Sequence, residues 1–121
     1  MKRKEIINQY KNLPIEGGIF QIKNIKSGKV FLGSSLNLRG PWNRLKSELT
    51  FGGHRNMELQ NDWKELGHES FKFEILETID SEITGNVDRE IELKRLEKKW
   101  ISHYEPIEEK CYNKNNRIRI A

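Results

Sequence analysis

Residues 19–34 constrain this chain more than any other stretch. Ile19–Ile25 is rich in β-branched and aromatic side chains, Lys26-Ser27-Gly28-Lys29 is a turn, and Val30–Ser34 is a second such run. β-Branched and aromatic residues fit the pleated, half-buried surface of a sheet, so two runs joined by a glycine-containing turn predict a hairpin. An isolated hairpin is marginal in water, and the rest of the chain must therefore cover it.

The covering pieces are helices with legible ends. Pro41 suits the first position of a helix, where its missing N–H is not needed. Trp42, Leu45 and Leu49 follow at helical spacing, and Gly52-Gly53 closes the segment. Asn56–Leu66 predicts a second helix, with Leu59, Trp63 and Leu66 on one face and Gly67 behind it. Phe71, Phe73 and Ile75 alternate with Lys72, Glu74 and Leu76, which predicts a third strand. Ser81–Val87 reads as a loop and Asp88–Tyr104 as the longest helix, with Leu93, Leu96, Trp100 and Tyr104 on one stripe and Pro106 past its end. A leading helix is expected over 2–13, where Ile6, Ile7 and Tyr10 have helical spacing and Pro14 stops the run. Residues 114–121 read as a basic tail, with Ile118 and Ile120 returning toward the core. The order α-β-β-α-α-β-α describes one α+β domain over 1–121: a three-stranded antiparallel sheet flanked by helices.

Composition removes several function classes. No apolar run approaches the ~18 residues of a membrane span, so no membrane partner is expected. Met1-Lys2-Arg3-Lys4-Glu5 has no apolar stretch behind it, so no secretory signal is expected either. The single Cys111 rules out an internal disulfide and a cysteine-cluster zinc site, and reads as a small packed residue in a reducing, cytoplasmic protein. His54, His68 and His103 have no metal-ligand spacing on one helix, and no glycine loop precedes a helix in the way a phosphate cradle requires. Charge is unevenly spread: residues 1–56 balance to +8, 57–109 to −8 and 110–121 to +4. A basic first half and a basic end suggest a polyanion-binding face.

One constellation is more specific. Gly18-Ile19-Phe20 opens the first strand and Phe31-Leu32-Gly33-Ser34 closes the second. Then come Gly53-His54-Arg55-Asn56, the run Leu59–Gly67, the strand from Phe71 to Glu77, Leu96-Glu97-Lys98-Lys99-Trp100-Ile101 on the long helix, and Cys111-Tyr112-Asn113. In this order they resemble the GIY-YIG nuclease superfamily, its homing-endonuclease-like branch especially, over a core of about residues 17–113. The resemblance implies phosphodiester hydrolysis of DNA assisted by a divalent metal, Mg²⁺ or Mn²⁺. It implies Glu97 as the metal ligand, Asn113 as a supporting asparagine and His54 as a histidine of the homing branch. A lone glutamate suffices chemically, because Mg²⁺ is held by few carboxylates together with waters and phosphate oxygens.

The chain departs from the pattern where the family uses tyrosines and an arginine. Both motif tyrosines are phenylalanine, Phe20 and Phe31, and the arginine position falls on Pro41. Phenylalanine keeps the ring and loses the hydroxyl that would accept a proton or hold water. Arg39, by a shifted alignment, or Arg44, three residues past Pro41, is the candidate to contact the scissile phosphate. Water would then be activated by the metal itself, with His54 assisting. Lys23, Lys26, Lys29, Lys46 and Arg55, with Lys114, Arg117 and Arg119 of the tail, are the expected nucleic-acid contacts, DNA or RNA. Two other readings stand beside the nuclease: a catalytically silent nucleic-acid-binding module of the same fold, and a protein-interaction domain using the acidic half. No separate DNA-binding domain fits in this length, so a protein partner is the expected source of target specificity.

Overall fold

The computed structural model describes residues 15–104, 107–113 and 119–120, with the backbone alone at 107, 108, 119 and 120. The leading helix expected over 2–13 lies outside the described residues, as do Lys114 and Arg117. The hairpin forms as the sequence predicts. β1 (Gly18–Asn24) and β2 (Val30–Ser35) pair antiparallel, with Phe20 opposite Gly33 and Ile22 opposite Phe31. β3 (Phe71–Thr78) pairs antiparallel with the other edge of β1. A fourth strand, which the three-stranded expectation lacks, lies on the far edge: β4 (Arg119–Ile120) runs parallel to β2, with Arg119 opposite Gly33 and Ile120 opposite Ser34. The end of the chain thus returns to the sheet through its backbone, and Arg119 belongs to a strand rather than to a free tail.

Helices cover both faces. α1 (Pro41–Phe51) starts on Pro41 and stops where Gly52 turns left-handed at φ 80°. α2 (Met57–Leu66) begins one residue later than predicted because Asn56 is its cap: the Asn56 side chain accepts a hydrogen bond from the Leu59 N–H. Together they bury Leu45, Leu49, Leu59 and Trp63 against Phe20, Ile22, Phe31, Phe71 and Tyr112. Each such side chain contributes about 1.5–3 kcal/mol on leaving water. The opposite face receives α3 (Asn86–His103), which buries Leu93 and Leu96 on Ile19 and sets Trp100 and Ile101 beside Val30, Leu32 and Cys111. Strands covered on both sides need apolar residues at consecutive positions, which is why Ile19-Phe20 and Val30-Phe31-Leu32 are unbroken apolar runs. A 3₁₀ turn (His68–Ser70) precedes β3, and a four-residue helix, α4 (Ile107–Lys110), precedes Cys111.

Two expectations are corrected. α3 starts at Asn86, so the loop read as Ser81–Val87 gives its last two residues to the helix. Val87 is 70 % exposed there, so no apolar period marks the first turn. In β3, simple alternation would turn Ile75 inward, yet Ile75 is 52 % exposed and Leu76 packs inside. Alternation holds through Ile75, which shares the face of Phe73, and Leu76 packs inside because α3 covers the opposite face. A bulge follows: Ile19 faces Glu77 and Phe20 faces Ile75, so Leu76 is the extra residue, and Leu76 and Glu77 both meet α3.

Candidate active site

The motif aromatics form a dry layer between the sheet and α1/α2. Phe20 is fully buried, 5.2 Å from Phe73, and Trp42 stacks on Phe73 at 5.4 Å. Phe20 lies across β2 at Gly33. A Cβ there would meet the Phe20 Cζ at 2.2 Å, so this position admits no side chain without moving the ring. Phe31 is equally enclosed and meets the edge of His54 at 5.2 Å.

His54 is a buried bracket between α1 and α2. Its backbone N–H donates to Gln60 Oε1 at 3.1 Å, and its Nδ1 accepts from the Asn56 backbone N–H at 3.0 Å. Gln60 in turn donates to the Leu49 carbonyl at the end of α1. An Nδ1 that accepts places the ring proton of the neutral imidazole on Nε2.

Glu97 stands on the other side of β2. It is half-buried on α3, and its Oε2 accepts from the Ser34 hydroxyl at 2.9 Å. Gly33 and Ser34 are consecutive, and successive residues of a strand face opposite ways. The sheet therefore separates the Phe20 ring from the Glu97 carboxylate. Asn113 works on the edge of β2 away from β1, one residue before the β4 pairing begins: its Oδ1 accepts from the Leu32 N–H at 2.7 Å and its Nδ2 donates to the Leu32 carbonyl at 2.8 Å. The side-chain amide imitates one rung of a sheet, two residues from Ser34. Asn113 thus braces the strand that presents Glu97's partner.

The arginines occupy the far end of β2. Arg39 is exposed in the loop after it. Arg44 is exposed on α1, while Pro41, Leu45 and Leu49 hold the inward face, so Arg44 does not share the side that Pro41 buries. Of the expected nucleic-acid contacts, Lys23, Lys26, Lys46 and Arg55 are exposed. Lys29 is tied to Glu58 at 2.5 Å and lies over the Tyr112 ring at 5.3 Å, and Lys46 lies over Trp42 at 5.5 Å. Lys23 belongs to the α3 face of the sheet and Lys46 to α1 on the other, so the basic residues do not make one continuous surface.

Two residues lie inside the motif strings but carry no role in the sequence reading. Ser34 holds Glu97, and only the phase of β2 against α3 reveals it. Tyr112 is fully buried; its hydroxyl donates to Asp62 Oδ2 at 2.7 Å and accepts from Asn24 Nδ2 at 3.0 Å. Its carbonyl accepts from Asn56 Nδ2 at 2.6 Å and its N–H donates to the Val30 carbonyl. Burial pushes the phenol up to about 12, so it keeps its proton at neutral pH and is no general base. The Cys111 thiol is likewise raised to about 11 by burial, which keeps the nucleophilic thiolate scarce. Beside these, Glu77 accepts from Lys99 at 2.8 Å and from Trp100 at 3.0 Å; the Lys99 bond foremost holds its carboxyl below the usual range.

Among the described residues no three His, Cys, Asp or Glu side chains come together to hold a metal. A hard cation that keeps most of its waters needs less, and Glu97 with one oxygen anchored on Ser34 suits such a sparse set. A cavity of about 490 Å³ lies elsewhere, between the chain before β1 and the loop after β3, lined by Gly17, Ile79, Asp80 and Arg89 among others.

An antiparallel sheet with helices packed on both faces in this order is the fold of a nuclease domain of one family. The family model described as the GIY-YIG catalytic domain matches residues 16–116, and the chain belongs to that family. Intron-associated endonuclease 1 of Enterobacteria phage T4 is 34 % identical over 76 residues, 63 % of this chain and 31 % of that protein, so the match spans about a third of that relative's length. Among solved structures, a point mutant of the catalytic domain of intron endonuclease I-TevI superposes with a TM-score of 0.68 at 27 % identity, covering 87 % of this chain and 99 % of that one. The catalytic domain of homing endonuclease I-TevI gives 0.63 at 28 % identity, covering 87 % and 98 %. No helix among the described residues is long and apolar enough to cross a membrane.

Proposed function

We propose that this domain binds DNA and cleaves its phosphodiester backbone slowly, with Glu97 as the ligand of Mg²⁺ or Mn²⁺. The Ser34–Glu97 hydrogen bond carries the reading, because a carboxylate held half-buried by a strand hydroxyl is oriented before any ligand arrives. The bound metal supplies charge stabilisation at the phosphate and a water of lowered pKa. The chain's own part is positional: Ser34 orients Glu97, and Asn113 fixes β2 beneath it. Arg39 and Arg44 offer exposed guanidinium groups for the phosphate. His54 is held as a bracket, so its contribution is to shape the α1–α2 junction under Phe31. Slowness follows from the missing hydroxyls, since loss of a general acid–base group costs about 10²–10⁴ in rate. DNA is the substrate class borne by the relatives' description as intron and homing endonucleases, and the exposed basic residues suit a polyanion.

A second reading is a silent DNA-binding module, favoured by the sealing of Phe20 and Phe31 in the core. Nicking of supercoiled plasmid with Mg²⁺ or Mn²⁺ decides between them, with wild type beside Glu97→Ala. Metal-dependent nicking lost in the variant is the expected result. No nicking, or equal nicking by both, refutes catalysis through Glu97.

A further inference from the structure

The register of β1 against β3 sets Lys23 directly opposite Lys72. Both are exposed, and neither forms an ion pair among the described residues. Opposed side chains in an antiparallel pair have Cβ atoms ~4.5–5.5 Å apart, and like charges placed so destabilise the sheet. A carboxylate two residues along β3 from Lys72, Glu74, accepts from Gln21 Nε2 at 3.2 Å, while Gln21 Oε1 takes the Tyr104 hydroxyl at 2.6 Å. The acidic group is thus engaged one step away, and the lysine pair is left facing solvent. Strand alternation puts the pair on the face that carries α3 and Glu97. Here α3 ends at His103, Tyr104 bonds Gln21, and Lys23, two residues on, is exposed. Lys23 pairs with Val30, and Ser34 lies four residues farther along β2. At ~3.3 Å per residue the lysine pair is roughly 13 Å from the Ser34–Glu97 contact.

We propose that Lys23 and Lys72 form a phosphate-binding site for the DNA backbone, reached by a strand that passes from Glu97 beyond the C-terminal end of α3. A phosphate oxyanion between two ammonium groups offsets the repulsion that the sheet otherwise carries, and lysine serves such sites as a point charge. The site rests on the reading of the domain as a DNA nuclease, and it adds Lys72, which lies in the acidic half of the sequence.

The test is fluorescence anisotropy of a labelled duplex titrated with the full chain across a salt series. The variants are Lys23→Gln/Lys72→Gln, Lys23→Arg/Lys72→Arg and Lys72→Glu, with circular dichroism confirming the fold. The double glutamine variant should lower the slope of log affinity against log salt by about 2, roughly 1 per lost phosphate contact, equally for unrelated sequences. The double arginine variant should keep the wild-type slope. Lys72→Glu should bind more weakly while its melting temperature rises, because it turns a repulsive cross-strand pair into an attractive one. A merely structural lysine pair would show the rise in melting temperature with unchanged binding, and that result overturns the proposal. An unchanged slope in the double glutamine variant overturns it too. If wild type binds DNA and nicks through Glu97 while these variants match it, the lysine site falls and the nuclease reading stands. If wild type neither binds nor nicks, both fall.

Discussion

Tyr112→Phe removes one oxygen from the interior and should be among the costlier conservative changes in this domain. The hydroxyl donates to Asp62 and accepts from Asn24, whose side chain is 1 % exposed. A hydrogen bond to a charged group contributes about 1.5–3 kcal/mol, and a buried amide left without its partner adds desolvation of similar size. The variant keeps the ring and its place under Lys29, so packing is conserved. We expect a loss of ~2–4 kcal/mol at pH 7. The pH dependence sharpens the test. Burial raises the phenol from its ordinary 10 to about 12. Between these values the unfolded chain releases the proton and the folded chain keeps it, so stability is full below pH 10 and falls as pH rises through 12. About two pH units correspond to ~2–3 kcal/mol, a decline that the phenylalanine variant cannot show. The gap between the two proteins should therefore narrow in alkali. Urea unfolding followed by tryptophan fluorescence, at neutral and alkaline pH, measures both quantities. A variant within ~0.5 kcal/mol of wild type at pH 7 would refute the network's role. So would a gap that does not change with pH.

Two further substitutions probe β2. Asn113→Ala strips both side-chain bonds from the Leu32 backbone and should cost about 2–4 kcal/mol by chemical denaturation; it should also weaken Mn²⁺ binding if the strand carries Ser34 and Glu97 as described. Gly33→Ala puts a methyl on the Phe20 ring and should cost about 1–3 kcal/mol, read as a lowered melting temperature. An alanine tolerated at position 33 would mean that Phe20 shifts freely, contrary to its complete burial.

The catalytic motif was visible as a string of residues, but its geometry was not. Glu97 and Asn113 are legible from their neighbours in sequence, whereas Ser34 is a serine among 121 residues until α3 lies over β2. Lys29 reads as a surface cation in a turn, and the fold ties it to Glu58, 29 residues away. Tyr112 reads as the middle of a short motif, and its partners are 50 and 88 residues distant. Lys72 sits in the half of the chain with a negative balance, and only strand register brings it to Lys23.

The amino-acid sequence by itself determined the local pieces: a hairpin closed at Gly28, a helix opened by Pro41, and stops at Gly52 and Gly67. These signals act over a few residues, through backbone dihedrals, missing donors and capping bonds, so they need no partner at a distance. Only the tertiary structure decided the phase of β3 around the Leu76 bulge, the return of Arg119–Ile120 to the edge of β2, and the placing of Phe20 and Glu97 on opposite sides of one strand. Each of those depends on register, where a shift of one residue exchanges the two faces of a strand, and register is set by the packing of elements far apart in the chain.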